Sequence, residues 1–400
     1  MAPCKNRRTF RLPDMQELTD EQVEACHLPK EGRHLIIGGP GTGKSVIALL
    51  RCKQHIRDRD NYVFLVYNHM LRHASHQLFA GMNLKGAQWQ SWFEKTFHCL
   101  TGKPVRKLPP DHNNFRHIDW DHTLDVICSI AEPPSGAELP YLIIDEGQDM
   151  PPQFYKALDY LGFDNFFVVA DQNQQITSGL NSSRKDIEDI LDIATGDVIE
   201  LTQNCRNPFS IARLARSFYT GDPASPPPQL PANKNPDIRP VLIEYSRDAF
   251  TEITRGIVAR AVRNRHKLIG IITPDSEVRD KYFIALQSVL KLENDPPRLM
   301  TYRTRADLGR LFFNRGGIIV ANAQACKGLE FDTVFMADIN RFHYWEDISD
   351  QVKKLFYVII SRARDTVVIL KEKDKKCPVD KIMPDDTNVL ERRQQWQVHS

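Results

Sequence analysis

Arg33-His34-Leu35-Ile36-Ile37-Gly38-Gly39-Pro40-Gly41-Thr42-Gly43-Lys44-Ser45 joins an apolar run to a glycine-rich turn that closes on a lysine and a hydroxyl. His34 to Ile37 reads as a buried parallel strand, and Val46-Ile47-Ala48-Leu49-Leu50 as the start of a helix. Between them Gly38, Gly39, Gly41 and Gly43, with Pro40 and Thr42 completing the turn, let the backbone aim its amides at phosphate oxygens. The helix dipole at that point favours negative charge. In such a turn Lys44 reaches the β- and γ-phosphates, and Ser45 offers its hydroxyl to Mg²⁺. A glycine-rich turn without a ligand would need the same flexibility, but not strand, turn, lysine, hydroxyl and helix in that order. The stretch implies a site for a nucleoside triphosphate with Mg²⁺.

The rest of the chain supplies a large framework for this site. It has 400 residues, and a hydrophobic content of 41% is enough for two or three packed cores. Lysine plus arginine (53) and aspartate plus glutamate (51) nearly cancel, so any polyanion must bind to a local patch. The eight cysteines, at 4, 26, 52, 99, 128, 205, 326 and 377, form no C-x-x-C pair and read as reduced thiols. No apolar run approaches the length that spans a membrane, and the N-terminus has no apolar leader segment. The expected compartment is the cytoplasm.

Apolar runs at 62–67, 141–144 and 166–170 read as further strands, each followed by a helix-prone segment. Strand and helix alternating in this way indicate a parallel sheet. Residues 85–135 mix aromatics with proline and histidine without a clean period, and read as a small, helical insertion. A second alternating set begins near Val198, passes a proline-rich stretch at Gly221–Pro236, and includes runs at 241–243, 268–272, 317–320, 333–336 and 366–370. The expectation is two α/β domains, at 1–200 and 201–400, with a charged tail from about 371 to 400.

Asp145-Glu146-Gly147-Gln148-Asp149 follows the strand at 141–144. Carboxylates at the C-terminal edge of a parallel strand lie where open α/β sheets bind ligands. There Asp145 can hold Mg²⁺ and Glu146 can orient and deprotonate the attacking water. The alternative is an acidic loop in which Asp149 caps the next helix.

With the phosphate loop and this acidic stretch come four further segments in order. They are Asp171-Gln172-Asn173-Gln174-Gln175-Ile176, Leu201-Thr202-Gln203-Asn204-Cys205-Arg206-Asn207, Lys327-Gly328-Leu329-Glu330-Phe331 and Tyr357-Val358-Ile359-Ile360-Ser361-Arg362-Ala363. The series resembles the UvrD/Rep-like family of superfamily 1 helicases over roughly residues 15–370. The resemblance implies two RecA-like domains with a P-loop NTPase core. It also implies that Gln22, in Leu18-Thr19-Asp20-Glu21-Gln22, reads adenine, and that Gln174 links the γ-phosphate to nucleic acid. Arg206 and Arg362 would reach the γ-phosphate from the second domain, a role suited to a permanently charged, forked guanidinium. Glu330 would contact the ribose, and Gly328 beside it would belong to the nucleotide site.

Tyr67 and Asn68 resemble motif Ia, which touches nucleic acid. Trp89 occupies an aromatic position that could stack on a base or belong to the core, and Trp92 is expected in the core. Two departures stand out. Cys205 replaces a tyrosine that stacks on adenine in many relatives, and Val46 replaces an arginine that helps hold the base, which implies loose base selectivity. The spans between motifs are also too short for the large accessory domains of full-length relatives.

The function these features imply is an ATP-dependent translocase or helicase on single-stranded nucleic acid, with DNA and 3′-to-5′ travel implied by the resemblance. Nothing in the residues excludes RNA. The alternative is an ATP-binding regulatory switch that gates a partner protein without translocation. A small-molecule kinase would have no place for the second set of motifs.

Overall fold

The computed structural model describes residues 11–110, 116–130, 139–171, 181–221, 226–232, 239–345 and 348–394. Its strands are β1 (Arg33–Gly38), β2 (Tyr62–Val66), β3 (Gly86–Gln88), β4 (Tyr141–Ile144), β5 (Phe166–Ala170) and β6 (Ile199–Leu201), then β7 (Val241–Tyr245), β8 (Leu268–Thr273), β9 (Leu299–Thr301), β10 (Gly317–Asn322), β11 (Phe331–Met336), β12 (Ala363–Glu372) and β13 (Glu391–Arg393). The helices are α1 (Asp20–His27), α2 (Lys44–Asp58), α3 (His69–Leu78), α4 (Trp89–Thr101), α5 (Trp120–Cys128) and α6 (Pro152–Tyr160), then α7 (Arg184–Leu191), α8 (Phe209–Arg216), α9 (Phe250–Arg263), α10 (Ser276–Leu290) and α11 (Ser349–Ser361).

The strands form two sheets, ordered β3-β2-β4-β5-β1-β6 and β13-β7-β12-β11-β8-β10-β9. Every ladder within them is parallel. Central strands such as Tyr62–Val66, Phe166–Ala170 and Leu268–Thr273 are buried along their whole length. Helices cover both faces of such a sheet, so its strands are continuous apolar runs rather than alternating ones. The architecture is two α/β domains, each a helix-covered parallel sheet, as the alternation of runs predicts.

The order of the first sheet matters for chemistry. β5 lies between β1 and β4, so the end of β5 sits between the phosphate loop after β1 and the carboxylates after β4.

Two expectations change. The described residues of 85–135 do not pack apart from the first domain: Trp89, Phe93, Phe97, Val126 and Ile127 join the cluster built on β4, β5 and α6. Nor is the stretch after β12 only a charged tail. Val379, Met383, Val389 and Leu390 are buried in the core of the second domain, and β13 pairs with β7 as an edge strand. Among the described residues no helix is long and apolar enough to cross a membrane.

Helix α3 joins the domains. Its Met70 and Ala74 pack in the same cluster as Leu214, Leu311 and Phe356. Gln77 donates to the Leu311 carbonyl at 2.7 Å and accepts from the Phe313 amide at 2.7 Å. At the other end of the seam Gly328, at φ 76°, lies so close to Leu71 that a Cβ there would fall 2.5 Å from its Cδ2. Only glycine suits that approach.

Candidate nucleotide site

The phosphate loop is braced from three sides. Gly43, at φ 89°, provides the left-handed turn into α2, and a Cβ on it would meet the Gln22 amide nitrogen at 2.4 Å. Gln22 donates to the Thr42 carbonyl at 2.8 Å and accepts from the Thr19 amide at 3.1 Å, closing a capping box on α1. In this structure the amide proposed to read adenine is latched to the loop through one of its N–H groups and its carbonyl. Thr42 donates to the Gly39 carbonyl at 2.8 Å. From the segment after β6, the Cys205 amide donates to the Gly41 carbonyl at 2.9 Å.

Lys44 is folded onto its own loop. Its ammonium donates to the carbonyls of Gly38 at 2.7 Å and Gly39 at 2.9 Å, and to Asp171 at 3.0 Å. An ammonium has three donors, so these contacts use its full capacity. A phosphate must take the place of at least one of them. The neutral carbonyls are the weaker partners, because bonds with an ionised acceptor are roughly twice as strong.

Asp171 and Gln148 were not assigned roles in the sequence, although both lie in the quoted segments. The buried Gln148 donates to Glu146 at 2.8 Å and accepts from the Asp171 amide at 2.8 Å. A continuous chain thus runs from Lys44 through Asp171 and Gln148 to Glu146, made possible by β5 lying between β1 and β4.

The two acidic residues after β4 differ in environment. Burial and the adjacent Glu146 charge raise Asp145 to about 7, against hydrogen bonding from Ser45, the pull of Lys44 and a bond from the Glu146 amide. Burial also acts upward on Glu146, but Arg362, Lys44, the Gln148 amide and Lys327 together hold it below the ordinary glutamate value. Glu146 is therefore the ionised member. It sits at φ 55°, a strained backbone for a non-glycine residue and a feature that clusters at functional sites.

The oxygens of Ser45 and Asp145 face each other and suit Mg²⁺, which prefers hard oxygen donors and arrives with substrate phosphates rather than in an all-protein cage. Among the described residues no group of three His, Cys, Asp or Glu side chains is placed to hold a metal ion.

The second domain closes over this site. Arg362 is buried and places Nη2 3.9 Å from Glu146 Oε1. Its backbone is held by Asn207, whose amide donates to the carbonyls of Ser361 at 3.0 Å and Ala363 at 2.7 Å. Arg206 pairs with Glu330 at 2.5 Å, so two residues proposed to contact nucleotide contact each other. Gln22, Gly41, Gly43, Ser45, Asp145, Arg206, Gly328 and Glu330 line one cleft of about 380 Å³, together with Val46 and Cys205. Gln174 lies outside the described residues.

The nucleic-acid candidates fare differently. Trp89 is only 9% exposed and meets Phe154 edge-on at 5.2 Å, so its ring belongs to the core and is not presented to a base. Trp92 is half-buried beside Phe163. Tyr67 packs under the Lys327 ammonium, 5.6 Å from its ring centre. Asn68 caps α3 by accepting from the Leu71 amide at 2.7 Å, and its side chain also reaches the Lys327 carbonyl at 3.5 Å. Both residues stand at the carboxyl edge of the first sheet, on the seam.

Asp149 does not cap a helix. It forms a buried ion pair with Lys327 across the seam. Burial raises its carboxyl to about 6 despite Lys327, so the pair is fully charged only above that pH. Breaking one side of such a pair costs about 3–5 kcal/mol, because the other charge stays buried. Asp149→Asn should lower unfolding free energy by that amount in a urea titration, and Asp149→Leu with Lys327→Met should restore most of it. A single-variant loss no larger than the ~0–1 kcal/mol of an exposed pair would show that the contact does not hold the seam.

Fold and site together define a nucleotide-binding protein of the P-loop NTPase class. Residues 22–180 match the AAA domain family, a span that takes in the phosphate loop and both acidic residues after β4. With the ordered motifs, this match supports the likeness to UvrD/Rep-like superfamily 1 helicases. No curated protein matches the chain. Among solved structures, the chain is similar to the C-terminal domain of a possible DNA helicase from Lactobacillus plantarum WCFS1, at 17% identity and a TM-score of 0.34, over 47% of this chain and 98% of that one. It is also similar to the DUF1998 helicase MrfA bound to DNA, at 11% identity and a TM-score of 0.46. That match covers 94% of this chain, which spans 50% of the length of MrfA.

Proposed function

We propose that the protein is an ATP-dependent motor that moves on single-stranded nucleic acid, most simply DNA in the 3′-to-5′ direction. The observation that carries this reading is the approach of Arg362, from the second domain, to Glu146 in the first, beside the phosphate loop. Hydrolysis that depends on a residue of the other domain ties each turnover to the relation between the domains.

In this reading Lys44 exchanges its loop carbonyls for phosphate oxygens, and Ser45 and Asp145 hold Mg²⁺. The ion neutralises charge that develops on the phosphates. Glu146, kept ionised by Arg362 and Gln148, orients water and accepts its proton. Arg362 and Arg206 stabilise charge on the γ-phosphate, for which Arg206 must leave Glu330. Nucleic acid crosses the carboxyl edges of the sheets, where Tyr67 and Asn68 stand.

One observation favours the second reading, a nucleotide switch that gates a partner protein. The seam is tied by the buried Asp149–Lys327 pair and by α3, whose apolar residues share the core of the second domain. Domains joined so firmly suit a switch that changes state once per nucleotide.

ATP turnover by the full chain with and without oligothymidylate separates the readings. The motor requires a clear rise in turnover with the strand, together with salt-sensitive binding. Unchanged turnover would transfer the assignment to the switch.

A further inference from the structure

The loop after β11 carries an aromatic surface that no nucleotide contact uses. From Arg341 the chain runs Arg341-Phe342-His343-Tyr344-Trp345 with alternating exposure: Phe342 is buried, Tyr344 half-buried, and Arg341, His343 and Trp345 exposed. Arg341 ends a short 3-10 turn at Ile339–Arg341, and beyond it His343 and Trp345 bring their rings together on the outside.

The inward residues fix this pair of rings. Phe342 meets Phe356 edge-on at 5.2 Å, and Tyr344 donates its hydroxyl to Ser349 at 3.2 Å while packing against the core of the second domain. On the outside the rings of His343 and Trp345 stack at 5.4 Å and 13°. Trp345 is nevertheless 59% exposed. Its anchored neighbours leave this ring free to stack on a flat partner, and tryptophan is enriched at interfaces where an apolar body meets water.

The location narrows the occupant. β11 ends beside β8 and β12, so the rings stand at the carboxyl edge of the second sheet, as Tyr67 and Asn68 do for the first. The adjoining cleft is lined by Arg247, Lys281, Arg341 and Lys375. Three of these cations are matched by carboxylates: Lys281 by Asp338, Arg341 by Asp275 and Glu277, and Lys375 by Glu372. The local field is thus weak, and a ligand would be gripped through flat faces rather than through charge. Bases offer such faces when they are not paired in a duplex.

We propose that His343 and Trp345 form a stacking platform for a base of single-stranded nucleic acid, placing a strand contact on the second domain. The proposal rests on the motor reading above and adds the residues that hold the strand at its far end.

The test uses the full chain and fluorescent oligothymidylate. Trp345→Ala should weaken binding about tenfold, since stacking on one aromatic ring is worth that order of affinity, and Trp345→Phe should recover most of the loss. Oligothymidylate should quench the tryptophan fluorescence of the unaltered chain, and that quench should be largely absent in Trp345→Phe. Strand-free ATP turnover and the thermal midpoint should not move, because Trp345 is exposed and does not line the nucleotide cleft. Normal binding by Trp345→Ala, in a protein whose turnover the strand does stimulate, would overturn the platform while leaving the motor intact. Failure of the unaltered chain to bind any strand would remove both.

Discussion

Lys44→Ala and Glu146→Gln should both abolish ATP turnover, but only the lysine change should weaken nucleotide binding strongly. Lys44 provides charge-assisted bonds to phosphate, each worth about 1.5–3 kcal/mol, so its loss should raise the dissociation constant about 10- to 150-fold. Glu146 acts on water, and replacing a general base costs about 10²–10⁴ in rate with little effect on ground-state affinity. The structure adds a complication for Lys44, which is the ion-pair partner of the buried Asp171. Its removal should also lower thermal stability without nucleotide, an effect that Glu146→Gln need not share. Phosphate release and equilibrium binding of a fluorescent nucleotide, measured on both variants, make the comparison. Equal loss of affinity would show that Glu146 contacts the bound phosphates rather than the attacking water.

The placement of Lys44, Ser45 and the two carboxylates was legible in the sequence because it depends on local spacing. A glycine turn between a strand and a helix positions Lys44 and Ser45 by covalent geometry, and two carboxylates after an apolar run must emerge at the strand's end. What connects them was not legible. Asp171 and Gln148 are adjacent only because β5 is inserted between β1 and β4, and strand order is not written in the order of motifs. The Asp149–Lys327 pair joins residues 178 positions apart and exists only because the domains meet.

Trp89 was legible in principle. Trp89, Phe93 and Phe97 recur at four-residue steps, the buried face of α4, and that period decides for the core. It was hidden by Trp92, which sits at the edge of that face against the same core, and by the histidines and prolines that follow. The strand at Glu391–Arg393 gave no signal, since three charged residues at a sheet edge look like a solvated tail. Trp345 was invisible for the opposite reason. Exposure cannot be read from a lone aromatic between two apolar runs, and only the in-and-out alternation of Phe342, Tyr344 and their neighbours reveals it.

The arginines give the most direct measure of how the domains cooperate. Arg362→Ala should reduce the rate of hydrolysis by on the order of 10³–10⁵, the contribution of arginines that stabilise charge on a transferring phosphoryl group. Its effect on nucleotide affinity should be far smaller, because that charge is greatest in the transition state. Arg206→Ala should act in the same direction and by less. Arg206 is held by Glu330 at 2.5 Å, and part of its interaction with phosphate is offset by loss of that pair. Arg362→Lys tests geometry against charge: an ammonium retains the charge but cannot fork onto two oxygens, so most of the rate should remain lost. Asn207→Ala provides a control outside the cleft, since its amide holds the backbone on both sides of Arg362. It should lower the rate with nucleotide affinity preserved, in parallel with Arg362→Ala. Single-turnover hydrolysis with saturating nucleotide isolates the chemical step for each variant. If Arg362→Ala hydrolyses ATP nearly as fast as the unaltered chain, the first domain performs the reaction alone. Closure by the second domain would then be a consequence of nucleotide binding with no part in catalysis.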